Sequence, residues 1–324
     1  MKIFIRKFSL SIISLLLTIT IFGTVTYAWF TLARINILDN LTLRIYSGDN
    51  LEVSLDGENY YKSLPASVLK AAIGDQVKLK DVTTIDGIAF TNGPYGKGEP
   101  KANIDYISLT FWLRAISSTR KHVYLVNNVS NETKFGDVTE GTFVVSRGIN
   151  WRADNTFING PDLENDIITT GQRMMFYGSE AIRLSFVEEK DENNPLDYRE
   201  NNELIKFIFD PSGDEERGYG KEYGAISYFK VKTNQEVNIP ESFPNNLYNL
   251  TAFDESNPYV PLNNDSKIME LIKTIDKDPE GRVYYRGKVR VNIWLEGWDT
   301  DCFNSIFNDI IRVQLQFRSG RESS

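Results

Sequence analysis

Short runs in which apolar and polar residues alternate recur along the chain after residue 38. Successive side chains of a strand point to opposite faces, so each run predicts a strand with one buried face. The runs are five to eight residues long and are bounded by Gly, Asn, Asp or Pro, which is typical of antiparallel sheets packed face to face. The predicted strands comprise residues 41–45, 51–55, 107–114, 122–126, 182–187, 204–209, 225–231, 289–296 and 311–318.

Helical spacing occurs in three segments, residues 63–73, 266–275 and 299–308. Apolar residues recur there three and four positions apart, and Pro65 and Gly74 are start and stop signals for the first segment. This helix content is too low for a fold of alternating strands and helices. We therefore predict a mostly β protein, a jelly-roll-type antiparallel β-sandwich with long loops and a few short helices, preceded by an N-terminal hydrophobic helix.

The body that carries these strands is predicted to span residues 29–324. Residues 107–114 and 289–296 share their apolar alternation and a Trp-Leu pair, which is a weak internal echo. Short echoes arise from common strand chemistry at least as often as from duplication. The sequence therefore leaves open one large sandwich or two subdomains with a boundary near residues 190–220.

Charge and residue counts exclude several classes of function. The net charge is −8 and no Lys/Arg cluster interrupts the acidic body, so the chain is predicted not to bind nucleic acid. Cys302 is the single cysteine and His122 the single histidine, too few for a structural zinc site. The common nucleotide-binding and hydrolase motifs are also absent, so we predict that the chain is not an enzyme.

The first 28 residues have the three parts of a secretory signal: basic residues at the start, an apolar stretch over residues 8–27, and small residues up to Ala28. We predict cleavage after Ala28. The alternative is a retained membrane anchor, since 20 apolar residues are close to the length that crosses a bilayer. Either way the body is predicted to be extracellular or at the cell surface, with membrane contact only through this helix.

The residues around this junction carry a resemblance. The segment Gly23-Thr24-Val25-Thr26-Tyr27-Ala28-Trp29-Phe30-Thr31 is similar to the signal-peptide ends of the TasA/camelysin family of exported Firmicutes proteins. The resemblance implies a fibre-forming biofilm-matrix protein with a jelly-roll body. It covers about ten residues, and Leu32 stands where the family usually has an acid. The segment 294–302, Trp-Leu-Glu-Gly-Trp-Asp-Thr-Asp-Cys, also resembles the ends of uncharacterised exported Firmicutes proteins.

Three tryptophans are candidates for contact with a partner or a glycan. Alternation places Trp112 and Trp294 on the polar faces of their strands, and Trp298 follows shortly after. Exposed indole rings would form a stacking platform for sugar rings. The alternative is that a loop or short helix covers this face and buries the rings, which we expect in a protein with long loops.

Acidic residues offer weaker candidates. Glu296, Asp299 and Asp301 lie within six residues and are a weak candidate calcium site, although Asp299 and Asp301 also suit the first turn of a helix. A hydrolase would need two facing carboxylates, for which Glu296 with Glu188 or Asp210 is the first choice. No other cofactor is predicted.

These features favour an exported structural protein of the cell surface or extracellular matrix, with filament assembly as one form of it. Its partner would be another copy of itself or a cell-surface protein, and residues 29–37, beginning Trp29-Phe30, are apolar enough to add as a strand to a neighbour's sheet. The alternatives are a carbohydrate-binding or adhesin module that uses the tryptophans, and an extracellular hydrolase.

Overall fold

A computed structural model of the protein describes residues 7, 11–20, 36–45, 51–74, 77–94, 98–116 and 121–321. Residues 11–20 form helix α1, whose side chains are exposed. No helix within these ranges is long and apolar enough to cross a membrane. The predicted cleavage site at Ala28 and the candidate contacts Trp29 and Phe30 lie outside the described residues.

The described chain is mostly β, as predicted. Two further helices are α2 (Ala66–Ile73) and α3 (Ala225–Thr233), and single 3-10 turns occupy Ser130–Glu132, Gly178–Ala181, Asn201–Glu203 and Asn304–Ile306. The strands are β1 (Asn36–Ile45), β2 (Glu52–Ser54), β3 (Val77–Leu79), β4 (Asp81–Thr83), β5 (Thr91–Asn92), β6 (Ile107–Ile116), β7 (Lys121–Leu125), β8 (Phe143–Ser146), β9 (Ile149–Arg152), β10 (Phe157–Ile158), β11 (Ile167–Ile168), β12 (Arg173–Phe176), β13 (Ile182–Glu189), β14 (Lys206–Phe209), β15 (Asn246–Leu247), β16 (Lys267–Lys277), β17 (Val283–Glu296) and β18 (Ile310–Arg321).

Fourteen of these strands form one hydrogen-bonded network that curls into two sheets. Sheet A has the order β3-β1-β18-β7-β16, with β8 beside the first half of β18. Sheet B has the order β2-β6-β17-β13-β14-β15, with β4 and β5 beside the end of β17. Strand β16 belongs to both, because its first half pairs with β7 and its second half with β17. The β1–β18, β14–β15 and β4–β17 pairs are parallel, so the sheets are not purely antiparallel.

The core lies between the two sheets. Strand β6 alternates as the sequence predicts, with Ile107, Leu109, Phe111, Leu113 and Ala115 buried and the residues between them partly exposed. The rings of Phe186 in sheet B and Phe317 in sheet A lie 6.4 Å apart across the interior. One hydrophobic cluster includes buried residues from Leu51 to Phe317, on both sides of residues 190–220. This confirms the sandwich-like class.

Helix α2 confirms the helix predicted for residues 63–73. Pro65 precedes its first turn, and Gly74 ends it with φ 84° and an amide bonded to Lys70 O. Leu69 is its buried anchor in the main core.

The helix predicted for residues 266–275 was wrong, because these residues form β16. The backbone bulges between Lys267 and Met269, which breaks the period of two that would have indicated a strand. The residues from Ile268 to Leu271 are buried on both faces, so no polar alternation marks them.

The strand predicted for residues 225–231 was also wrong, because these residues lie in α3. Gly224 starts the helix at φ 62°, where a Cβ atom would meet Thr300 O at 2.3 Å. The first five residues of α3 are all buried, so the amphipathic spacing of a helix is missing. Lys230 and Lys232 in the last turn and left-handed Asn234 after it are the helix signals.

Residues 299–308 do not form the predicted helix but a turn that includes the 3-10 segment Asn304–Ile306. Asp299 was expected to cap this helix, yet its carboxylate is used in the ion pair described below.

Candidate functional site

The segment 294–302 lies at the end of β17, on the outer face of sheet B. As predicted, Val289, Val291, Ile293 and Leu295 face the core, while the residues between them face outwards. The outward-facing Trp294 is nevertheless completely buried, because Phe90 packs edge-on against it at 5.2 Å between ring centroids. Trp294 therefore offers no face to a glycan, and its predicted contact role is corrected in favour of burial under a loop.

The other two tryptophans do not share a platform with it. Trp112 pairs with Lys288, six positions before Trp294, so the two rings are roughly 20 Å apart along the sheet. Trp112 is half-buried beneath the turn at Gly57, and the Lys288 ammonium lies 5.5 Å from its ring centroid. Trp298 is half-buried beside Tyr219. Contact of Trp112 or Trp298 with a partner stays a prediction for each ring separately.

Glu296, the last residue of β17, is 1% exposed. Its carboxylate accepts a hydrogen bond from the Trp294 indole at 2.9 Å and another from the Trp298 amide at 3.1 Å. Burial raises the pKa of Glu296 to about 7, and these hydrogen bonds oppose the rise. The carboxyl group is thus poised to change charge near neutral pH.

Arg183 is the centre of a buried ionic network at the start of β13, the strand next to β17. Its side chain is 1% exposed. Its Nη1 donates to the carbonyls of Glu180 and Ile182 at 2.9 and 2.8 Å. Its Nη2 is bonded to Asp299 and lies 2.6 Å from Asp210 Oδ2. Asp210 Oδ2 accepts no hydrogen bond, so its contact with Arg183 is ionic.

Two carboxylates thus share one guanidinium. Burial raises the pKa of Asp299 well above its usual value, and Arg183 opposes that rise. Burial also raises the pKa of Asp210, against the effects of Arg183 and of the Ser212 hydroxyl, which donates to Asp210 at 2.7 Å. The two acids in turn raise the pKa of Arg183 against its desolvation, so the cation persists.

A second ion pair flanks this network. Arg217 donates two hydrogen bonds to Asp301, from Nε to Oδ2 at 3.0 Å and from Nη2 to Oδ1 at 2.6 Å. The remaining Nη1 donates to Asn159 O at 2.6 Å. Such a fork fixes the orientation of both groups, and it ties the loop after β14 to the turn after β17.

Glu180, another acid of this region, lines a cavity. Burial raises its pKa to about 7, and the nearby Asp301 and Asp210 carboxylates add to the rise. It is one of the residues that line a cavity of about 530 Å³ beside Ser179 and Ser212. A protonated carboxyl at a cavity wall can donate as well as accept a hydrogen bond.

The calcium candidates do not form a shared site. Glu296 accepts from Trp294 and Trp298, Asp299 is bonded to Arg183, and Asp301 to Arg217, so protein donors occupy each carboxylate separately. Across the part of the chain that the structure describes, no group of three or more His, Cys, Asp or Glu side chains is arranged to hold a metal ion.

The carboxylate pairs proposed for hydrolysis fare differently. Glu188 lies opposite Val289, seven positions from Glu296 along β17, which separates them by roughly 20 Å. Facing carboxylates in glycosidases are about 5–10 Å apart, so this pair is excluded by geometry. Glu188 instead pairs with Arg199. Asp210 and Glu296 do lie in one region, around Arg183, but both are buried.

Sequence reasoning missed the basic members of this region. Arg183 interrupts the apolar run Ile182-Arg-Leu-Ser-Phe186 at a position that alternation assigns to the outer face, where a charged side chain is usually solvated. Arg217 lies in a long polar stretch with no pattern of its own. The only signal in the sequence is a charged residue within an apolar run, and it does not tell whether the Arg183 side chain is buried or exposed.

The network is sealed from solvent, since Arg183, Asp210, Asp299 and Glu296 are each 1% exposed or less. Charged groups buried this way hold the loops to the sheet in one arrangement.

No protein-family model, curated protein or solved structure matches the chain.

Proposed function

We propose that this chain is an exported structural protein of the cell surface or extracellular matrix, and that copies of it join by strand addition. The observation that carries the proposal is the edge of β1. One side of β1 pairs with β18 from Ile37 to Ile45, whereas on the other side only Asn36–Leu38 pair with β3 among the described residues. The rest of this edge, residues 39–45, is long enough to serve as a template for another strand.

The donor is the segment that precedes β1. Residues 36 and 37, which the sequence placed in a donated strand, already belong to β1. The donated segment is therefore residues 29–35, which start with the apolar Trp29-Phe30. Cleavage after Ala28 would free this segment for a neighbouring copy, and main-chain hydrogen bonds to the β1 edge would supply the affinity.

The sequence supports the same function. The basic and apolar parts of residues 1–28 direct export, and the junction resembles that of a fibre-forming family. The chain as a whole has a net charge of −8, and its body is acidic, which keeps separate copies soluble until a directional contact joins them.

Three purified proteins test the proposal: one starting at Trp29, one starting at Asn36, and one in which residues 29–35 are replaced by a Gly/Ser segment of the same length. We expect oligomers or filaments from the first alone, measured by light scattering and electron microscopy. A synthetic peptide of residues 29–35 should bind the protein that starts at Asn36 with one-to-one stoichiometry. Monomers in all three preparations would refute strand donation.

A further inference from the structure

The outer face of sheet A carries an open groove. Along β18 the side chains of Arg312, Gln314, Gln316 and Arg318 point outwards, between the buried Ile311, Val313, Leu315 and Phe317. A cavity of about 710 Å³ lies over the second half of this row and includes Gln316 and Arg318 in its wall. Its size is within the range of small-molecule sites, about 300–1,000 Å³.

The first half of the row is already occupied by protein. Gln314 donates to the carbonyls of Thr139 and Gly141 at 3.1 and 2.8 Å, and Arg312 donates to those of Phe135 and Asp137. The second half of the row lines the cavity instead, where Gln316 is 6% exposed and Arg318 is partly exposed. This pair therefore brings one amide and one guanidinium to the cavity wall.

Amide side chains dominate the remaining wall. Asn127, Asn131 and Asn249 are exposed and line the groove. Asn127 is held at φ 57°, a left-handed conformation that Asn adopts more readily than most residues, and its Nδ2 donates to Gln316 Oε1 at 3.4 Å. Asn131 is anchored by a 3.1 Å bond from Nδ2 to Ser212 O. These groups are positioned by the fold rather than by a ligand.

The same groove contains a flat, partly apolar surface. The Arg318 guanidinium lies 4.5 Å from the centroid of the Phe253 ring, and Tyr248 adds a second aromatic side chain to the wall. Two carboxylates, Glu132 and Glu140, also line the cavity, so one cation faces two acids. This balance favours neither a strongly anionic nor a strongly cationic ligand.

We propose that this groove binds a neutral oligosaccharide. Sugar hydroxyls both donate and accept hydrogen bonds, which matches amide side chains that do the same and carboxylates that accept. The C–H face of a sugar ring packs on an aromatic or guanidinium plane. The proposed site does not use the tryptophans singled out in the sequence, and it does not depend on strand addition by β1.

The test uses the body from Asn36 onwards, so that assembly through residues 29–35 does not interfere. Calorimetric titration measures its binding to neutral tetrasaccharides of β-1,4-glucose, β-1,3-glucose, xylose, mannose and N-acetylglucosamine. Tetragalacturonate and an unstructured ten-residue peptide serve as anionic and peptide probes. Ala252→Trp fills the groove from an exposed wall position, and Ala71→Trp adds the same ring to an exposed site on α2 as a matched control.

We expect at least one neutral tetrasaccharide to bind, with unchanged affinity in Ala71→Trp and about tenfold or more weaker affinity in Ala252→Trp. Asn249→Ala should weaken binding by roughly threefold to tenfold, the effect of one lost hydrogen bond. Unchanged thermal midpoints show that the variants fold. Binding of only the anionic or peptide probe, equal binding by both Trp variants, or no binding by any neutral sugar would overturn the proposal.

Discussion

The outer faces of the two sheets carry similar side chains but differ in how far the loops cover them. On sheet B, Trp294 donates to Glu296, Arg183 pairs with Asp299, and Asn292 donates to the Gly87 carbonyl. These side chains are sealed beneath loops, so a nominal surface has become interior. On sheet A, Arg318 stays partly exposed and lines an open groove together with the buried Gln316. Alternation along a strand therefore determines which face a residue occupies, while the long loops determine whether that face meets water.

Removing the central cation of the sealed face should have the largest effect. Arg183→Met leaves Asp210 and Asp299 buried without their shared partner, so we expect a loss of about 3–5 kcal/mol in the free energy of unfolding. Chemical denaturation measures this loss. Arg318→Met, on the open face, is the matched control and should cost about 1 kcal/mol or less. Similar losses in the two variants would erase the distinction between the faces.

The tryptophans provide a second and smaller contrast. Trp294→Phe removes the indole donor to the buried Glu296 and leaves a small void, so we expect about 2–4 kcal/mol of destabilisation. Trp112→Phe alters a half-buried ring and should cost about 1 kcal/mol. The comparison is again made by denaturant unfolding. A larger loss for Trp112→Phe would mean that the turn at Gly57, rather than the loop over Trp294, is the essential cover.

Proton linkage gives the smallest expected effect. The pKa of Glu296 is raised to about 7 in the folded protein against 4.5 for the ordinary group, so the folded state holds more protons than the unfolded state between these pH values. Stability contributed by this group is thus fully present below about pH 4.5 and is lost as the pH rises towards about 7, at about 1.4 kcal/mol per pH unit.

Unfolding midpoints between pH 5 and 8 measure this slope. Glu296→Gln should reduce it, because the amide does not titrate, and Glu180, whose pKa is also raised to about 7, would account for part of the slope that remains. A slope that is the same in the wild type and in Glu296→Gln would show that the sealed carboxyl stays charged.

The sequence was sufficient for the strands whose two faces differ. Strands β6, β17 and β18 were all predicted, because residues that pack in the core alternate along each strand with residues that face outwards. It failed for β16 and α3, where burial on several sides removes the polar half of the pattern. Strand β16 is interrupted by the bulge between Lys267 and Met269, and α3 begins at Gly224, which lies close to Thr300. Neither feature produces a periodic pattern of apolar residues.

Only the acidic residues of the candidate site could be predicted from the sequence. The acids Glu296, Asp299 and Asp301 were found because they cluster in sequence, and the structure places them near one another. Arg183 and Arg217, their ionic partners, come from segments about 80 residues or more away in the chain. Partnerships at such separation depend on the strand order, which no local pattern encodes.

The parallel ladder between β1 and β18 joins nearly opposite ends of the described chain, with Leu41 beside Val313. Contacts of such high sequence separation are slow to form, since the intervening chain must first be ordered. During synthesis β1 emerges early and waits for β18, the last strand of the sheet. Until β18 has been made, the edge of β1 that pairs with it in the folded protein stays open.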